Sequence, residues 1–352
     1  MHPEDTLLGA LRGRLLEALR HGTPLQLRGA GTKDFYGERL EGEVFALAAH
    51  RGVLAYAPEE LVITARCGTP LSELEATLRE GGQFLPFEPP RFGGDPTVGG
   101  IVASGLAGPR RPYVGAVRDF VLGARLMNAR GESLRFGGQV MKNVAGFDVA
   151  RLLCGSLGVL GIITEVSLKV LPRPAREETR QFEWPATVAV QTFNSWAAEG
   201  IPLSAAAWSA GCARVRLSGA HAAVQAAALR LGGEPLAAQH GEAWWTAVRE
   251  LTLPGLTGPV LWRVSVPPIA PVQAGSVLID WGGALRWHAD DADGNLRAQA
   301  QAADGHAQAW RGVAAGRRLH PLPVATRALH QRLKARFDPD GVFNRGRLIA
   351  DL

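Results

Sequence analysis

Residues 93 to 105 read Gly93-Gly94-Asp95-Pro96-Thr97-Val98-Gly99-Gly100-Ile101-Val102-Ala103-Ser104-Gly105, and this stretch decides the fold. It contains too many glycines for a packed helix start unless something flat or anionic lies against the backbone. Two further glycine-rich stretches are Leu27-Arg28-Gly29-Ala30-Gly31-Thr32-Lys33 and Cys154-Gly155-Ser156-Leu157-Gly158-Val159-Leu160-Gly161-Ile162-Ile163-Thr164. Three such segments in one region predict a long ligand with a diphosphate that contacts all of them.

The stretch at residues 27–33 follows a predicted strand, and its small residues allow backbone N–H groups to surround phosphate oxygens. Only Gly29 and Gly31 fit the G-x-G-x-x-G pattern, and no Walker A lysine stands at the required spacing. These departures argue against a nicotinamide site and a P-loop. A glycine-rich corner also occurs for structural reasons alone, so this stretch taken by itself is a weak indication.

Composition bounds the class of protein. The chain has 352 residues, 46% apolar and 20% charged, which is typical of about two globular domains. No apolar run has the length of a membrane span, and the N-terminus has no apolar core of a secretory signal, so we expect a cytoplasmic protein. Cys67, Cys154 and Cys212 are far apart and predict neither disulfides nor a zinc site. The net charge of +5 comes from scattered arginines, which favours an anionic cofactor or substrate over nucleic acid.

Residue patterns predict two folded units. Leucines at positions 7 to 19 behind Asp5 predict a first helix, and strands are predicted over residues 25–28, 53–56, 62–66, 120–127, 133–136 and 162–171. All nine tryptophans lie between Trp184 and Trp310, whereas eight of the twelve phenylalanines precede Gly155. This change predicts an α+β domain over residues 1–175 and a second domain from residue 176, with a small sheet and one or two helices.

The motifs of the first unit resemble the flavoprotein family of vanillyl-alcohol oxidase, p-cresol methylhydroxylase and the D-2-hydroxyacid dehydrogenases. Five motifs occur in the family's order: Arg28-Gly29-Ala30-Gly31-Thr32, Pro96-Thr97-Val98-Gly99-Gly100, Val117-Arg118-Asp119 before Val121-Leu122-Gly123, Lys142-Asn143-Val144-Ala145-Gly146-Phe147-Asp148, and Gly155-Ser156-Leu157-Gly158 with Gly161-Ile162-Ile163-Thr164. Phe337-Asp338-Pro339 and Phe343-Asn344-Arg345-Gly346-Arg347 are similar to its closing segment, with Arg345 where proline is usual.

The resemblance implies an α+β, PCMH-type FAD-binding fold of two α+β subdomains at residues 1–175, a reduced α+β cap domain at 176–318, and a C-terminal segment at 319–352 that returns to the FAD domain. The residues that it implies for FAD binding are Arg28, Gly29, Ala30, Gly31, Thr32, Lys33, Pro96, Thr97, Val98, Gly99, Gly100, Ser104, Val117, Arg118, Asp119, Gly155, Ser156, Gly158, Gly161, Ile162 and Ile163. Family members that tether the flavin through the first loop have a histidine where this chain has Thr32, so we expect non-covalent FAD. No catalytic residue is assigned.

Within this family, the chain length and the segment Asp280-Trp281-Gly282-Gly283-Ala284-Leu285-Arg286-Trp287 resemble the E-type subunits of bacterial glycolate oxidase. The D-type sister subunits carry a metal-binding H-x-G-D-G-N-L-H motif and a later E-H-G-I-G. Here residues 288–297 keep only the Asp-Gly-Asn-Leu part, Arg297 replaces the second histidine, and no E-H-G segment exists. We therefore expect no metal site, and we interpret Asp293-Gly294 as a hairpin turn, since a calcium loop would need carboxylates at Ala289 and Ala300.

The resemblance implies an FAD-binding subunit of a complex that oxidises glycolate to glyoxylate. Its partners would be a D-type FAD subunit and an F-type iron–sulfur subunit. The complex would lie at the inner face of the membrane. One alternative is a stand-alone FAD-dependent 2-hydroxyacid dehydrogenase, in which Arg110, Arg111 or Arg118 holds the substrate carboxylate. The other alternative is a non-catalytic scaffold. We expect the tryptophans in the core and at an interface, with the second domain as a docking surface.

Overall fold

Two antiparallel sheets organise the fold. The structure is a computed structural model that describes residues 3–138, 148–291, 294–349 and 352. One sheet has five strands from the first half of the chain, and the other has eight strands from the second half. Among the described residues no helix is long and apolar enough to cross a membrane.

The first half of the chain combines short helices with the five-stranded sheet. Its elements are helix α1 (Pro3–His21), strands β1 (Leu25–Arg28), β2 (Glu43–Ala46), β3 (Val53–Ala57) and β4 (Val62–Arg66), helix α2 (Leu71–Glu80), strand β5 (Gln83–Phe84), helices α3 (Val98–Ser104), α4 (Arg111–Val114) and α5 (Val117–Phe120), strands β6 (Val121–Met127) and β7 (Ser133–Gly137), helix α6 (Val149–Leu152), and strands β8 (Ile162–Lys169) and β9 (Leu171–Pro172). The sheet order is β3-β4-β8-β6-β7, while β1 pairs with β2 in parallel and β5 with β9. Strands β6 and β7, which correspond to the predicted strands at residues 120–127 and 133–136, pair as an antiparallel hairpin.

The core of this half follows from the spacing of its apolar residues. Leu71, Leu74 and Leu78 fall on one face of α2 and are fully buried, as the helical period requires. They pack with residues of β4, β8 and α3 in one apolar cluster. Helix α3 therefore has a fixed position beside the sheet, and its glycines have a fixed position with it.

The C-terminal segment packs beside β1. Phe343 forms a bridge with Leu25 and is buried in the cluster that also contains Leu15 and Phe45. Helix α11 (Val324–Phe337) precedes it, and Lys334 Nζ on this helix donates to Phe343 O at 2.7 Å, Val159 O at 2.8 Å and the Asp338 carboxylate at 2.6 Å. These contacts hold the end of the chain against the start of the first loop.

The second half forms a larger sheet than the small one that we predicted. Its elements are β10 (Arg176–Glu183), α7 (Ala186–Ala198), β11 (Leu203–Ser209), β12 (Cys212–Gly219), α8 (His221–Leu231), β13 (Glu234–Pro235), α9 (Ala238–Glu250), β14 (Leu261–Ser265), β15 (Ser276–Asp280), β16 (Leu285–His288), α10 (Leu296–Ala302) and β17 (His306–Arg311). The strand order is β13-β10-β12-β11-β15-β16-β14-β17. The prediction missed β10 and β11 because their charged or alanine-rich sequences have low strand propensity, which cross-strand pairing overrides.

The expectation that tryptophans lie in the core is confirmed for Trp245, Trp262, Trp281, Trp287 and Trp310, which are buried, while the other four are half-buried. The docking surface stays a prediction. The predicted Asp293-Gly294 hairpin turn falls partly outside the described residues, and the next described element is helix α10 rather than the strand that a hairpin requires. The Asp291 carboxylate accepts the backbone N–H groups of Asn295 and Leu296 at the start of that helix.

The motif from Lys142 to Phe147 lies outside the described residues, as do Ala292 and Asp293. The division into residues 1–175, 176–318 and 319–352 stays a prediction. The five-stranded sheet uses residues 53–169, and the eight-stranded sheet uses residues 176–311.

Candidate cofactor site

A groove of about 800 Å³, partly open to solvent, lies between the first loop, helix α3, the start of β8 and the C-terminal turn. Fourteen of the residues predicted for FAD binding line it: Arg28, Gly29, Ala30, Gly31, Thr32, Lys33, Pro96, Thr97, Gly99, Gly100, Ser104, Gly158, Gly161 and Ile163. Three stretches that are far apart in the sequence thus meet at one groove.

Seven predicted residues do not line this groove. Val98, Ser156 and Ile162 are next to residues that do line it, and Gly155 is two residues from Leu157, which lines it. The corner at Val117, Arg118 and Asp119 lies elsewhere: Val117 is in the apolar core, and the other two side chains are exposed. Asp119 accepts the backbone N–H of Ala116 at 2.8 Å, which is the geometry of a capping carboxylate.

The sequence prediction missed Asn344 and Arg347, which reach the groove from the C-terminal turn. Asn344 Oδ1 accepts the Leu27 N–H at 2.7 Å, and its Nδ2 donates to Leu157 O at 2.6 Å. This side chain therefore joins the first loop to the segment before β8. The similarity of Phe343-Asn344 to the family's closing segment was the available signal, but spacing alone does not predict which groove a distant turn reaches.

The backbone of the first loop provides hydrogen-bond donors. The N–H groups of residues 29–33 have no hydrogen-bond acceptor within the described part of the chain. Gly31 has a φ of +76°, a left-handed conformation that turns the loop around the groove. Successive N–H groups in such a turn form a concave site for an anion.

Three cationic side chains line the groove at this loop, of which Arg28 is paired with Asp34 at 2.7 Å. Arg347 donates to Lys33 O at 2.9 Å, and burial lowers its pKa to about 10 despite the nearby carboxylate of Asp34. Burial likewise lowers the pKa of Lys33 to about 8, opposed by Glu250 and assisted by Arg91. Both groups are charged at neutral pH and poorly solvated, so a bound anion would stabilise them. Helix α3 offers no free donors at its start, because Val98 N, Gly99 N and Gly100 N bond to Thr69 O, Cys67 O and Thr97 Oγ1.

Several glycines at the groove are explained by contacts within the protein. A Cβ at Gly29 would overlap Thr97 Oγ1, one at Gly99 would lie 2.7 Å from Cys67 Cβ, and one at Gly158 would lie 2.6 Å from Asn344 Nδ2. At Gly100 a Cβ would contact only Thr97 Oγ1, at 3.3 Å. The glycines therefore do not by themselves indicate a ligand, with Gly100 as the position least restricted by neighbouring atoms.

These groups fit a dinucleotide with a diphosphate. The free N–H groups, Lys33 and Arg347 supply donors and positive charge at one end of the groove. Apolar side chains of Leu27, Leu47, Leu157 and Ile163 line the rest of it. Polar groups for the phosphates and an apolar surface for flat rings are what FAD requires of its site.

Comparisons with known proteins agree with this geometry. A family model described as FAD binding domain matches residues 10–137. The chain is 45% identical over 347 residues to "Glycolate oxidase subunit GlcE" of Escherichia coli (strain K12), covering 97% of each protein. It is 34% identical over 161 residues to "Glycolate oxidase subunit GlcD" of Bacillus subtilis (strain 168), which covers 45% of this chain and 34% of that protein. The solved structure of an alkyldihydroxyacetonephosphate synthase superposes with a TM-score of 0.67 at 15% identity, over 95% of this chain and 74% of that one. The predicted α+β FAD-binding fold is confirmed.

Proposed function

The chain belongs to the family of the glycolate oxidase subunit GlcE, and on this premise we propose that it is the FAD-binding subunit of a glycolate oxidase complex that converts glycolate to glyoxylate. The resemblance to E-type subunits seen in the motifs is confirmed. The chain is an FAD-dependent oxidoreductase of the 2-hydroxy-acid class. Bound FAD would supply the two-electron acceptor, while the protein supplies binding, orientation and charge.

We propose that the first loop holds the diphosphate of FAD. The observation that carries this proposal is the row of five N–H groups at residues 29–33 without acceptors, beside Lys33 and Arg347. The Gly99-Gly100 face of α3 and the residues Gly158, Gly161 and Ile163 would then contact the rings. Because Thr32 stands where tethering family members have histidine, the FAD is held without a covalent bond.

The identity of the other subunits of the complex is a separate proposal. The chain functions within a multi-subunit assembly, and we propose that a D-type FAD subunit and an F-type iron–sulfur subunit are its partners. Arg297 in place of the second histidine and the missing E-H-G segment support the view that the D-type sister carries the metal-assisted step. A cytoplasmic location at the inner face of the membrane stays a prediction.

The two alternatives differ in their support. A pure scaffold would not need a loop whose N–H groups at residues 29–33 lack acceptors in the described part of the chain, beside the half-buried Lys33 and the buried Arg347, so this alternative has less support. For a stand-alone dehydrogenase, two of the three arginines that we considered are unsuitable. Arg110 is bound to Glu88 and Glu177, and Arg118 is exposed. Arg111 alone lines a cavity beside the FAD groove.

The loop proposal is tested with two arginines of the same turn. Arg347→Gln removes a charge from the groove, whereas Arg345→Gln changes an exposed arginine that contacts Gly341 O and Asp340 O. A charged hydrogen bond contributes about 1.5–3 kcal/mol, so the first variant should bind FAD roughly 10- to 100-fold more weakly. The control should bind like the wild type, as measured by flavin fluorescence titration of the apoprotein. Equal affinity of both variants would remove Arg347 from the site.

The complex is tested by reconstitution. We expect the FAD-loaded chain alone to oxidise glycolate and D-lactate slowly or not at all with an artificial electron acceptor. Addition of the D-type and F-type subunits should restore turnover. The missing metal-assisted proton transfer corresponds to a loss on the order of 10²–10⁴ in rate. Turnover of several per second by the lone chain would instead establish the stand-alone dehydrogenase.

A further inference from the structure

A second cavity of about 760 Å³ adjoins the FAD groove and shares Ser104 with it. Its walls come from both halves of the chain: residues 104–109 and α4 on one side, and the ends of strands of the eight-stranded sheet on the other. Trp287, Trp310, Leu251 and Leu285 give it an apolar lining. The cavity is partly open to solvent, and its wall combines these apolar side chains with the polar groups of Arg111, Arg249, Arg263 and Asp280.

Two arginines at this cavity form no close ion pair in the described part of the chain, although Asp119 acts on Arg111 and Asp280 on Arg263 from a longer distance. The guanidinium groups of Arg111 and Arg263 lie over the ring of Trp281, 4.3 and 5.3 Å from its centroid. Trp281 is fixed in turn, because its Nε1 donates to Gly108 O at 3.0 Å. Within the described residues neither arginine forms an ion pair or a side-chain hydrogen bond. Burial lowers the pKa of both groups, so each charge lacks part of its solvation.

Other buried arginines near this interface are paired. Arg216 contacts Glu88 at 2.7 Å, Arg110 contacts Glu88 and Glu177, and Arg249 contacts Glu250 at 2.8 Å. The usual arrangement for a buried charge is a partner of opposite sign. Arg111 and Arg263 depart from that arrangement, and they do so where the chain leaves an enclosed space.

Asp280 is the carboxyl group that lines the same cavity, and it does not neutralise the two arginines. It accepts the Trp281 backbone N–H at 2.7 Å and forms no ion pair with Arg111 or Arg263. Burial raises its pKa to about 7, with Glu88 adding to the shift and Arg216 and Arg263 opposing it. The carboxyl group is therefore available as a hydrogen-bond partner for a neutral hydroxyl group.

We propose that this cavity binds a small carboxylate, with Arg111 and Arg263 holding the anion and Asp280 facing its hydroxyl group. Two guanidinium groups can donate to both oxygens of a carboxylate, and such charge-assisted hydrogen bonds are stronger than neutral ones. The choice of a 2-hydroxy acid or its 2-oxo product rests on the function proposed above. The binding of a small carboxylate rests only on the cavity and its two unpaired cations.

The chain would then have a carboxylate site of its own beside its FAD groove, in addition to any site on a sister subunit. In this arrangement the ligand lies beside Arg111 and Arg263, in a cavity that Trp281 and residues 104–109 line together. An enzyme site for a 2-hydroxy acid needs the substrate next to the flavin, and this cavity is next to the groove proposed for FAD.

The test measures binding of glycolate and oxalate to the FAD-loaded chain by calorimetry and by tryptophan fluorescence, with ethylene glycol as the uncharged control. Arg111→Gln and Arg263→Gln should each weaken carboxylate binding about 10- to 100-fold. Arg263→Lys, which keeps the charge, should recover part of the affinity. The matched control is Arg214→Gln, since Arg214 also lies over a tryptophan, 4.7 Å from the Trp244 centroid, but lines neither cavity.

Several outcomes would overturn the proposal. One is wild-type protein that binds FAD but neither acid, and another is Arg111→Gln protein that binds both acids normally. A third is a change in flavin reduction potential in Arg263→Gln without any change in carboxylate affinity, which would give the arginine a role toward the flavin. A chain that binds oxalate but not FAD would instead contradict the proposed function and leave the carboxylate site standing.

Discussion

Replacement of Gly100 by alanine should weaken FAD binding without weakening the fold. Gly100 is in helix α3 and lines the groove, and a Cβ there would contact only Thr97 Oγ1, at 3.3 Å. Alanine in place of a helical glycine stabilises a protein by roughly 0.5–1 kcal/mol, so the apoprotein should unfold at the same or a higher temperature. A methyl group added at a closely packed ligand surface costs about 1–3 kcal/mol, which is roughly a 5- to 150-fold rise in the Kd for FAD.

The neighbouring Gly99 is the matched control. A Cβ at Gly99 would lie 2.7 Å from Cys67 Cβ and 3.1 Å from Cys67 O, and Cys67 is only 2% exposed. We expect Gly99→Ala to lower the free energy of unfolding by about 1–3 kcal/mol, because the backbone must move to relieve the contact. One residue therefore separates a variant with a binding defect from one with a folding defect. Gly31→Asp gives no such separation, because its φ of +76° and the Arg28 guanidinium 2.6 Å away would strain the fold as well.

The assay has two parts. Thermal unfolding of the flavin-free proteins by circular dichroism gives stability, and quenching of flavin fluorescence on titration gives the Kd for FAD. Gly100→Ala protein that is fully folded and binds FAD with wild-type affinity would show that this face of α3 does not contact the cofactor. The proposal that the Gly99-Gly100 face of α3 contacts FAD would then be wrong.

Three other predictions concern attachment, pH and the C-terminal segment. Heating the holoprotein should release intact FAD into the supernatant, and flavin that stays with the precipitated polypeptide would contradict non-covalent binding. Asp280 has a folded-state pKa of about 7 against an ordinary value of 3.8, so the folded state binds the extra proton and stability should fall as pH rises through this window. Asp280→Asn should remove this pH dependence. Its free energy of unfolding, measured by chemical denaturation, should exceed that of the wild type by up to about 4 kcal/mol at pH 8 and differ little at pH 4. If the unfolding free energies of the two proteins change in parallel with pH, the prediction is wrong. Lys334→Met leaves the Asp338 carboxylate charged and only 1% exposed, so it should lower the free energy of unfolding by about 3–5 kcal/mol. The control is Lys169→Met: Lys169 is in a strand and has no charged partner in the described chain, so this change should alter the free energy of unfolding by no more than about 0.5 kcal/mol.

The sequence predicted the elements whose local pattern agrees with their final environment. Strand β4 has the predicted bounds, and helix α2 has the three buried leucines that its spacing required. Strands β10 and β11 were missed because one is rich in charged residues and the other in alanine and serine. Their strand conformation depends on eight-residue and six-residue pairings with β12, which bring together residues distant in the chain. Local propensity contains no information about such partners.

The candidate site shows the same limit. The glycine-rich stretches were visible in the sequence, and the structure brings all three to one groove. Arg347 and Asn344 were not predicted, because their position depends on the packing of Phe343 and Lys334 against the first half. Arg111 was considered together with Arg110 and Arg118, and only the structure distinguishes them: one is paired, one is exposed, and one faces a cavity without a partner.

The glycines themselves illustrate why a sequence motif and a binding site are different kinds of observation. Three glycine-rich stretches in one region predict a long ligand that contacts all of them. The structure gives the glycines a second explanation, because Gly29, Gly99 and Gly158 would be required by contacts with Thr97, Cys67 and Asn344 even without a ligand. What indicates a ligand is the polar groups that have no protein partner in the described residues: the five N–H groups of the first loop and the two guanidinium groups around Trp281. A bound anion would accept hydrogen bonds from both sets of donors. The two cavities adjoin at Ser104, which is the arrangement that a flavin and its small acidic substrate require.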